Sequence, residues 1–231
     1  VANLSGYGTE EVSDHAVALL LASVRNLLAR DHHLRQGVFE TDITNEIYRT
    51  TGKTLGLIGY GKIGQAFHRK WKGFLPQEVL IYDPFATEEV IRERGGKVAC
   101  LDTLLSQSDY ISLHMPLTAE TKHLINASAL RKMKSSAILI NTSRGEVIDK
   151  KALVRALPEN WILAAGLDFF ENEPLEQDHP LLKLGNVVLS GHVGWYLKDS
   201  VRELQTLGAE EIRRVLTGQS PSCWVNSWAP S

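Results

Sequence analysis

The run Gly59-Tyr60-Gly61-Lys62-Ile63-Gly64 leaves this chain few folds to choose from. It follows a short apolar segment, Thr54 to Ile58, and opens a longer amphipathic one, Ile63 to Trp71. Three glycines in that spacing therefore fall where a strand turns into a helix. Downstream, the same alternation repeats. Strands are expected at Glu78 to Tyr82, Tyr110 to Leu113, Ala137 to Asn141, Ile162 to Leu167 and Asn186 to Leu189. Helices are expected at Thr87 to Arg94, Ala127 to Met133 and Lys150 to Leu157. The strands are apolar throughout rather than alternating, as in a parallel sheet covered on both faces. The expected fold class is α/β, a doubly wound parallel sheet of the Rossmann type.

Outside that rhythm lie two further segments. Thr9 can cap a helix whose first turn carries Glu10 and Glu11, and apolar residues recur at helical spacing from Val12 to about Arg30. Residues 31–52 are polar without a clean period and read as an arm. Asp199 to Leu216 reads as an amphipathic helix stopped by Gly218. Val1 to Leu4 reads as a strand already under way, which suggests a missing first segment. A net charge of −2 offers no electrostatic case for nucleic acid or an anionic membrane. The longest apolar stretch, Ala16 to Val24, is too short to span a bilayer, so no membrane partner is expected. Two cysteines, Cys100 and Cys223, fit a reducing cytosol and cannot build a cysteine-rich zinc site; no metal is expected.

The glycine loop has a chemical reading. Gly59 permits the tight turn, Gly61 lets backbone approach a pyrophosphate, and Gly64 lets helix and strand pack closely. With Lys62 and Ile63 at the helix start, unpaired N–H groups and the positive end of the helix dipole face the phosphates. Asp83 lies 19 residues beyond Gly64, at the end of the next strand. A carboxylate there accepts from both ribose hydroxyls and repels a 2′-phosphate, so the expected cofactor is NAD rather than NADP.

Three later stretches suggest what the cofactor is for. Arg144 follows the strand ending at Asn141, Glu173 follows the one ending at Leu167, and His192 follows the one ending at Leu189. The carboxyl ends of parallel strands are where open α/β sheets bind ligands. An arginine fork binds a carboxylate bidentately and can stabilise a growing alkoxide. A histidine is the natural acid/base near neutral pH, and a neighbouring acid fixes its tautomer and favours its charged form. The order glycine loop, arginine, carboxylate, histidine points to hydride exchange on a small 2-oxo or 2-hydroxy acid. Asp168 and Glu171 are competing candidates for the acid.

With these residues in view, the chain resembles the D-isomer-specific 2-hydroxyacid dehydrogenases. The matching motifs are Gly8-Thr9-Glu10-Glu11-Val12-Ser13-Asp14-His15-Ala16, the glycine loop, Tyr82-Asp83-Pro84-Phe85, Leu113-His114-Met115-Pro116-Leu117-Thr118, Asn141-Thr142-Ser143-Arg144-Gly145 and Glu173-Pro174-Leu175. Gly191-His192-Val193-Gly194-Trp195-Tyr196 resembles in particular the branch of the C-terminal-binding-protein corepressors and their bacterial dehydrogenase relatives. The resemblance implies that Glu173, rather than Asp168, pairs with His192, and that Asp168 approaches the nicotinamide carboxamide. It implies that His114, Pro116 and Thr121 wall the adenosine site, and that Thr142, Ser143, Arg144, His192 and Gly194 lie beside the cofactor. It also implies a second, smaller substrate domain, of which residues 1–5 and 196–231 are remnants around a cofactor domain at 6–195. Ser5 stands where the family often has proline. Pairing of two copies through the cofactor domain, by way of residues 10–50, is expected too. Tyr7 and Trp195 are candidates to face the cleft.

Three readings remain open at this level. One is an NAD-dependent D-2-hydroxyacid dehydrogenase acting on glyoxylate, hydroxypyruvate or a related acid. Another is an NAD(H)-sensing interaction module like the corepressors, which keep the same triad. The third is a cofactor domain with no activity of its own.

Overall fold

The computed structural model describes residues 2–4, 6–39, 47–223 and 225. Among them, seven strands form one wholly parallel sheet: β1 (Thr54–Ile58), β2 (Glu78–Tyr82), β3 (Lys97–Val98), β4 (Tyr110–Leu113), β5 (Ile138–Asn141), β6 (Ala164–Leu167) and β7 (Val187–Leu189). Their spatial order is β3-β2-β1-β4-β5-β6-β7. The chain runs outward from β1 in one direction, returns, and runs outward from β4 in the other. The crevice between the ends of β1 and β4 is thus the switch point where such sheets receive ligands.

The central strands are buried on both faces, and alternation assigns each residue to one of two cores. Leu55 and Leu57, Val79 and Ile81, and Ile138 and Ile140 face the layer formed by α1 (Thr9–Val24), α3 (Lys62–Trp71) and α4 (Glu88–Glu93). Ile58, Leu80, Leu139 and Leu167 face the layer of α5 (Leu101–Gln107), α6 (Ala127–Lys132) and α7 (Lys150–Ala156). Gly166 makes room for α1, since a side chain there would begin 3.0 Å from the Leu19 Cβ. Three expected helices begin on side-chain caps: Thr87 accepts from Val90 N–H, Asn126 from Ser128 and Ala129 N–H, and Asp149 from Lys151 and Ala152 N–H.

Several expectations need correction. The first helix does not run unbroken to Arg30. It stops at Val24, and α2 (Leu27–Arg35) leaves at a 61° bend. Asn26 sits in the left-handed region at φ 49, which asparagine tolerates better than most residues. Leu27 and Leu28 continued the apolar period, yet both are more than half exposed, so they belong to a different surface. Thr9 is not the cap: Gly8 holds that position with φ 72, and the Thr9 hydroxyl donates to the Gly6 carbonyl at 3.1 Å. The expected arm is helical up to Arg35, and its residues 40–46 lie outside the described ones, as do Val1 and Ser5. Both β3 and α5 were missed; β3 is a two-residue exposed edge strand with no apolar signal. The final helix, α8, spans Lys198–Leu216 and ends before Gly218, whose φ is 77. Asn3 N–H donates to the Cys223 carbonyl at 3.1 Å, so the two ends of the described chain lie together. No single described helix is long and apolar enough to cross a membrane.

Two histidines, His68 in the core and the partly buried His114, make the fold pH-sensitive. His68, on α3, is 1% exposed, with Nδ1 2.7 Å from the Tyr60 hydroxyl and Nε2 buried without a partner. Burial, followed by the charges of Lys72 and Arg94, pushes its pKa from 6.5 down to about 4. Burial also pushes His114, just past β4, down to about 3. The unfolded chain therefore binds more protons than the folded one as pH falls below 6.5. Stability should be full above about pH 6.5 and decline as pH drops toward 4, by an amount on the order of 3 kcal/mol for His68 alone. Urea unfolding across that window measures it. His68→Gln should flatten part of the slope; an unchanged slope would remove His68 as its source.

Candidate active site

The crevice at the switch point has a volume of about 330 Å³ and is lined on one side by the glycine loop and on the other by the segment after β4. Its geometry is set by close backbone approaches. Gly59 has φ 91, and a side chain on it would begin 2.6 Å from the His114 carbonyl carbon. A side chain on Gly64 would begin 2.5 Å from the Gly59 oxygen. At Gly61, the N-cap of α3, nothing stands within 4 Å of that position, so the helix end faces open space. No side chain caps this helix, which leaves its first N–H groups for a ligand. Lys62 and Ile63 form the first turn behind them.

Asp83 is held at the end of β2. Its Oδ2 accepts from Tyr60 N–H at 2.6 Å, and its Oδ1 from Phe85 N–H at 2.8 Å. These bonds fix a carboxylate beside the glycine loop, in the crevice lining. Across from it, Pro116 and Thr121 form part of the same wall, tied by the Thr121 hydroxyl donating to the Pro116 carbonyl at 2.7 Å. His114 bonds Ser112 Oγ through Nε2 at 2.9 Å, while its Nδ1 is buried and unpartnered. Thr142 Oγ1 is likewise buried without a partner. An open helix end, a fixed carboxylate and the unpartnered Nδ1 of His114 in the lining of one crevice fit a dinucleotide.

Two of the three candidate catalytic groups, Arg144 and His192, lie against the Phe169 ring, and the third, Glu173, bonds His192. Asn141 locks the turn after β5 by accepting from Ser143 N–H at 3.0 Å and donating to the Arg144 carbonyl at 2.8 Å. Arg144 is exposed and lies with Cζ 5.1 Å from the centre of the Phe169 ring. Its Nη1 donates to the Ser143 carbonyl at 2.6 Å, and no described carboxylate forms an ion pair with it. His192 packs on the same Phe169 ring, at 3.9 Å between centres. Its Nδ1 lies 2.8 Å from Glu173 Oε2, and Glu173 Oε1 accepts from Phe170 N–H at 3.0 Å. Glu171, the competing acid, is committed elsewhere, to His123 Nε2 at 2.7 Å. Gly145 permits this convergence: any side chain on it would collide with the backbone of Phe170 and Glu171.

Asp168 is 1% exposed and serves the loop that carries His192. Its Oδ1 accepts from Ser190 Oγ at 2.6 Å and Val193 N–H at 3.0 Å, and its Oδ2 from Gly194 N–H at 3.0 Å. Its backbone carbonyl takes the His192 N–H at 2.8 Å. Burial acts to raise the Asp168 pKa, but the bonds from His15, Ser190, Val193 and Gly194 outweigh it and hold the carboxyl well below the usual range. His15 and Ser190 were not singled out by the sequence reading. A histidine inside a helix and a serine after a strand carry no signal until the fold sets them side by side.

Comparison with known proteins agrees with this geometry. Residues 17–194 match the family model described as "D-isomer specific 2-hydroxyacid dehydrogenase, NAD binding domain". A glyoxylate reductase of Korarchaeum cryptofilum is 42% identical over 229 residues, covering 98% of this chain and 69% of that protein. One from Thermococcus litoralis is 40% identical over 235 residues, covering 98% and 70%. Among solved structures, a D-lactate dehydrogenase with NAD+ from Lactobacillus jensenii gives a TM-score of 0.88 at 29% identity, covering 98% of this chain and 71% of that one. The chain belongs to the D-isomer-specific 2-hydroxyacid dehydrogenase family. It is an NAD-dependent oxidoreductase acting on the CH–OH group of a 2-hydroxy acid.

Three variants test the cofactor site. Gly64→Ala should lower the melting temperature and NADH binding together, because the methyl group has no room. Gly61→Ala should fold with parent-like stability yet bind NADH at least roughly tenfold more weakly, since only the phosphate approach is blocked. Equal NADH titrations for Gly61→Ala and parent would place the pyrophosphate elsewhere. Asp83→Asn keeps an acceptor for Tyr60 N–H but loses the charge. It should cut the preference for NADH over NADPH by roughly tenfold, the scale of one charged hydrogen bond; a parent that already prefers NADPH would contradict the ribose assignment.

Proposed function

We propose that this chain carries the cofactor site and the acid/base machinery of an NAD-dependent D-2-hydroxyacid dehydrogenase that reduces a small 2-oxo acid of the glyoxylate or hydroxypyruvate kind. The supporting observation is the His192–Glu173 pair at 2.8 Å, with Arg144 packed on the same Phe169 ring. When bound, the reduced cofactor NADH would supply the hydride to the substrate's C2, and NAD+ would accept it in the reverse direction. Arg144 has donors to spare for the substrate carboxylate and the carbonyl oxygen, and its charge stabilises the alkoxide that develops there. The Glu173 carboxylate can only accept, so Nδ1 of His192 carries a proton and Nε2 is left for the substrate. In reduction, His192 gives its Nε2 proton to the carbonyl oxygen; in oxidation, neutral His192 takes it back. Glu173 orients the ring in both directions.

Relatives named as reductases at 40% identity and above favour turnover over a purely NAD-sensing role. Residues 1–5 and 196–231 are read as parts of the substrate domain. The Asn3–Cys223 bond and the proximity of the Leu4 side chain to Gly208 support that reading. The exposed Leu27, Leu28 and Leu34 of α2 support pairing of two copies at that end of the cofactor domain. Neither cysteine is in a disulfide, which fits a reducing cytosol.

Arg144→Ala should lower kcat/KM for glyoxylate with NADH by roughly two to three decades. The Kd for NADH should stay within about threefold of the parent, because the lost fork faces the substrate. Steady-state kinetics with a fluorescence titration of NADH decide the matter. Parent-like turnover in the variant would defeat the assignment.

A further inference from the structure

His15 is the polar side chain of α1 that reaches the catalytic end of the sheet. Its Nε2 lies 2.8 Å from Ser190 Oγ and 3.4 Å from Asp168 Oδ1. The direction of these bonds follows from proton counting. Ser190 has one hydroxyl proton, and it is given to Asp168 Oδ1 at 2.6 Å. Ser190 Oγ must therefore accept from His15, so His15 Nε2 carries a proton. If Nε2 were bare, Ser190 would have to turn its proton toward the imidazole, and the buried Asp168 would lose a donor. With the proton on Nε2, Asp168 keeps all its donors, including Val193 N–H and Gly194 N–H.

Gly194 completes the arrangement. A side chain on it would begin 2.9 Å from Asp168 Oδ2 and 3.2 Å from His15 Cδ2, so His15 and Asp168 close on the loop together. His192, two residues earlier, has φ 58 and is held by its own N–H to the Asp168 carbonyl. A non-glycine residue in that region costs free energy and persists only where its surroundings over-determine it.

We propose that His15 is a positioning residue for the reaction: by donating to Ser190 it directs the Ser190 hydroxyl onto Asp168, which clamps the 192–194 loop and holds His192 against Glu173 and Phe169. The proposal rests on the dehydrogenase reading for its kinetic consequence, but its structural consequence does not need that reading.

The test uses the whole protein with glyoxylate and NADH as probes. His15→Leu removes the donor, while His15→Gln places an amide N–H where Nε2 stands. His15→Leu should lower kcat by roughly ten- to a hundredfold, the scale for a misplaced catalytic group. NADH Kd and the melting temperature should stay near parent values. His15→Gln should restore most of the lost kcat, and Ser190→Ala should cost less in the His15→Leu background than in the parent, since the two residues share one chain of bonds. Independently of turnover, hydrogen exchange at the Val193 and Gly194 amides should quicken in His15→Leu and return toward parent rates in His15→Gln. Unchanged exchange in His15→Leu, or His15→Gln as impaired as His15→Leu, would overturn the proposal. Altered exchange in a protein whose parent fails to reduce glyoxylate would instead count against the reaction assignment while leaving the clamp intact.

Discussion

The segments leaving β1 and β4 meet without a side chain between them at Gly59, and the switch-point crevice is arranged around that contact. The loop leaving β1 passes over the His114–Met115 backbone too closely for any Cβ, and Gly64 then presses α3 back onto Gly59. These approaches leave the end of α3 uncapped and aimed into the switch-point crevice, with Asp83 tied to the loop through Tyr60 N–H. Glycine is required here for space as much as for backbone freedom.

A second close approach, at Gly145, does for the catalytic groups what Gly59 does for the cofactor. The segments after β5 and β6 cross there, backbone against side chain-free backbone, which brings Arg144 and Phe169 together. Phe169 then serves as a common wall for guanidinium and imidazole. The three acids of one short stretch divide by partner: Asp168 takes backbone and Ser190 donors, Glu171 takes His123, and Glu173 takes His192. Buried and fully bonded, Asp168 gives rigidity, whereas the paired side chains of Glu173 and His192 stay open to solvent.

Much of the fold was legible because its signals are local. Strands such as β1, β4 and β5 are short apolar runs bounded by polar residues. The misreadings arose where local signals mislead. Leu27 and Leu28 extend the apolar period of α1 although they face another direction after Asn26. The strand β3 owes its existence to pairing with β2, since Lys97 and Val98 carry no pattern of their own.

By itself the sequence determined the parallel α/β architecture, the glycine loop at a strand–helix turn with an acid at the end of the next strand, and the placing of an arginine and a histidine after later strands, because spacing along a strand–turn–helix unit dictates where backbone N–H groups and strand ends must point. The resemblance already pointed to Glu173 as the partner of His192; only the tertiary structure set the two side chains 2.8 Å apart, made Phe169 the platform shared by Arg144 and His192, and brought His15 to Ser190. Those contacts join residues 19 to 175 positions apart, and no local propensity encodes a distance that exists only once the sheet has closed.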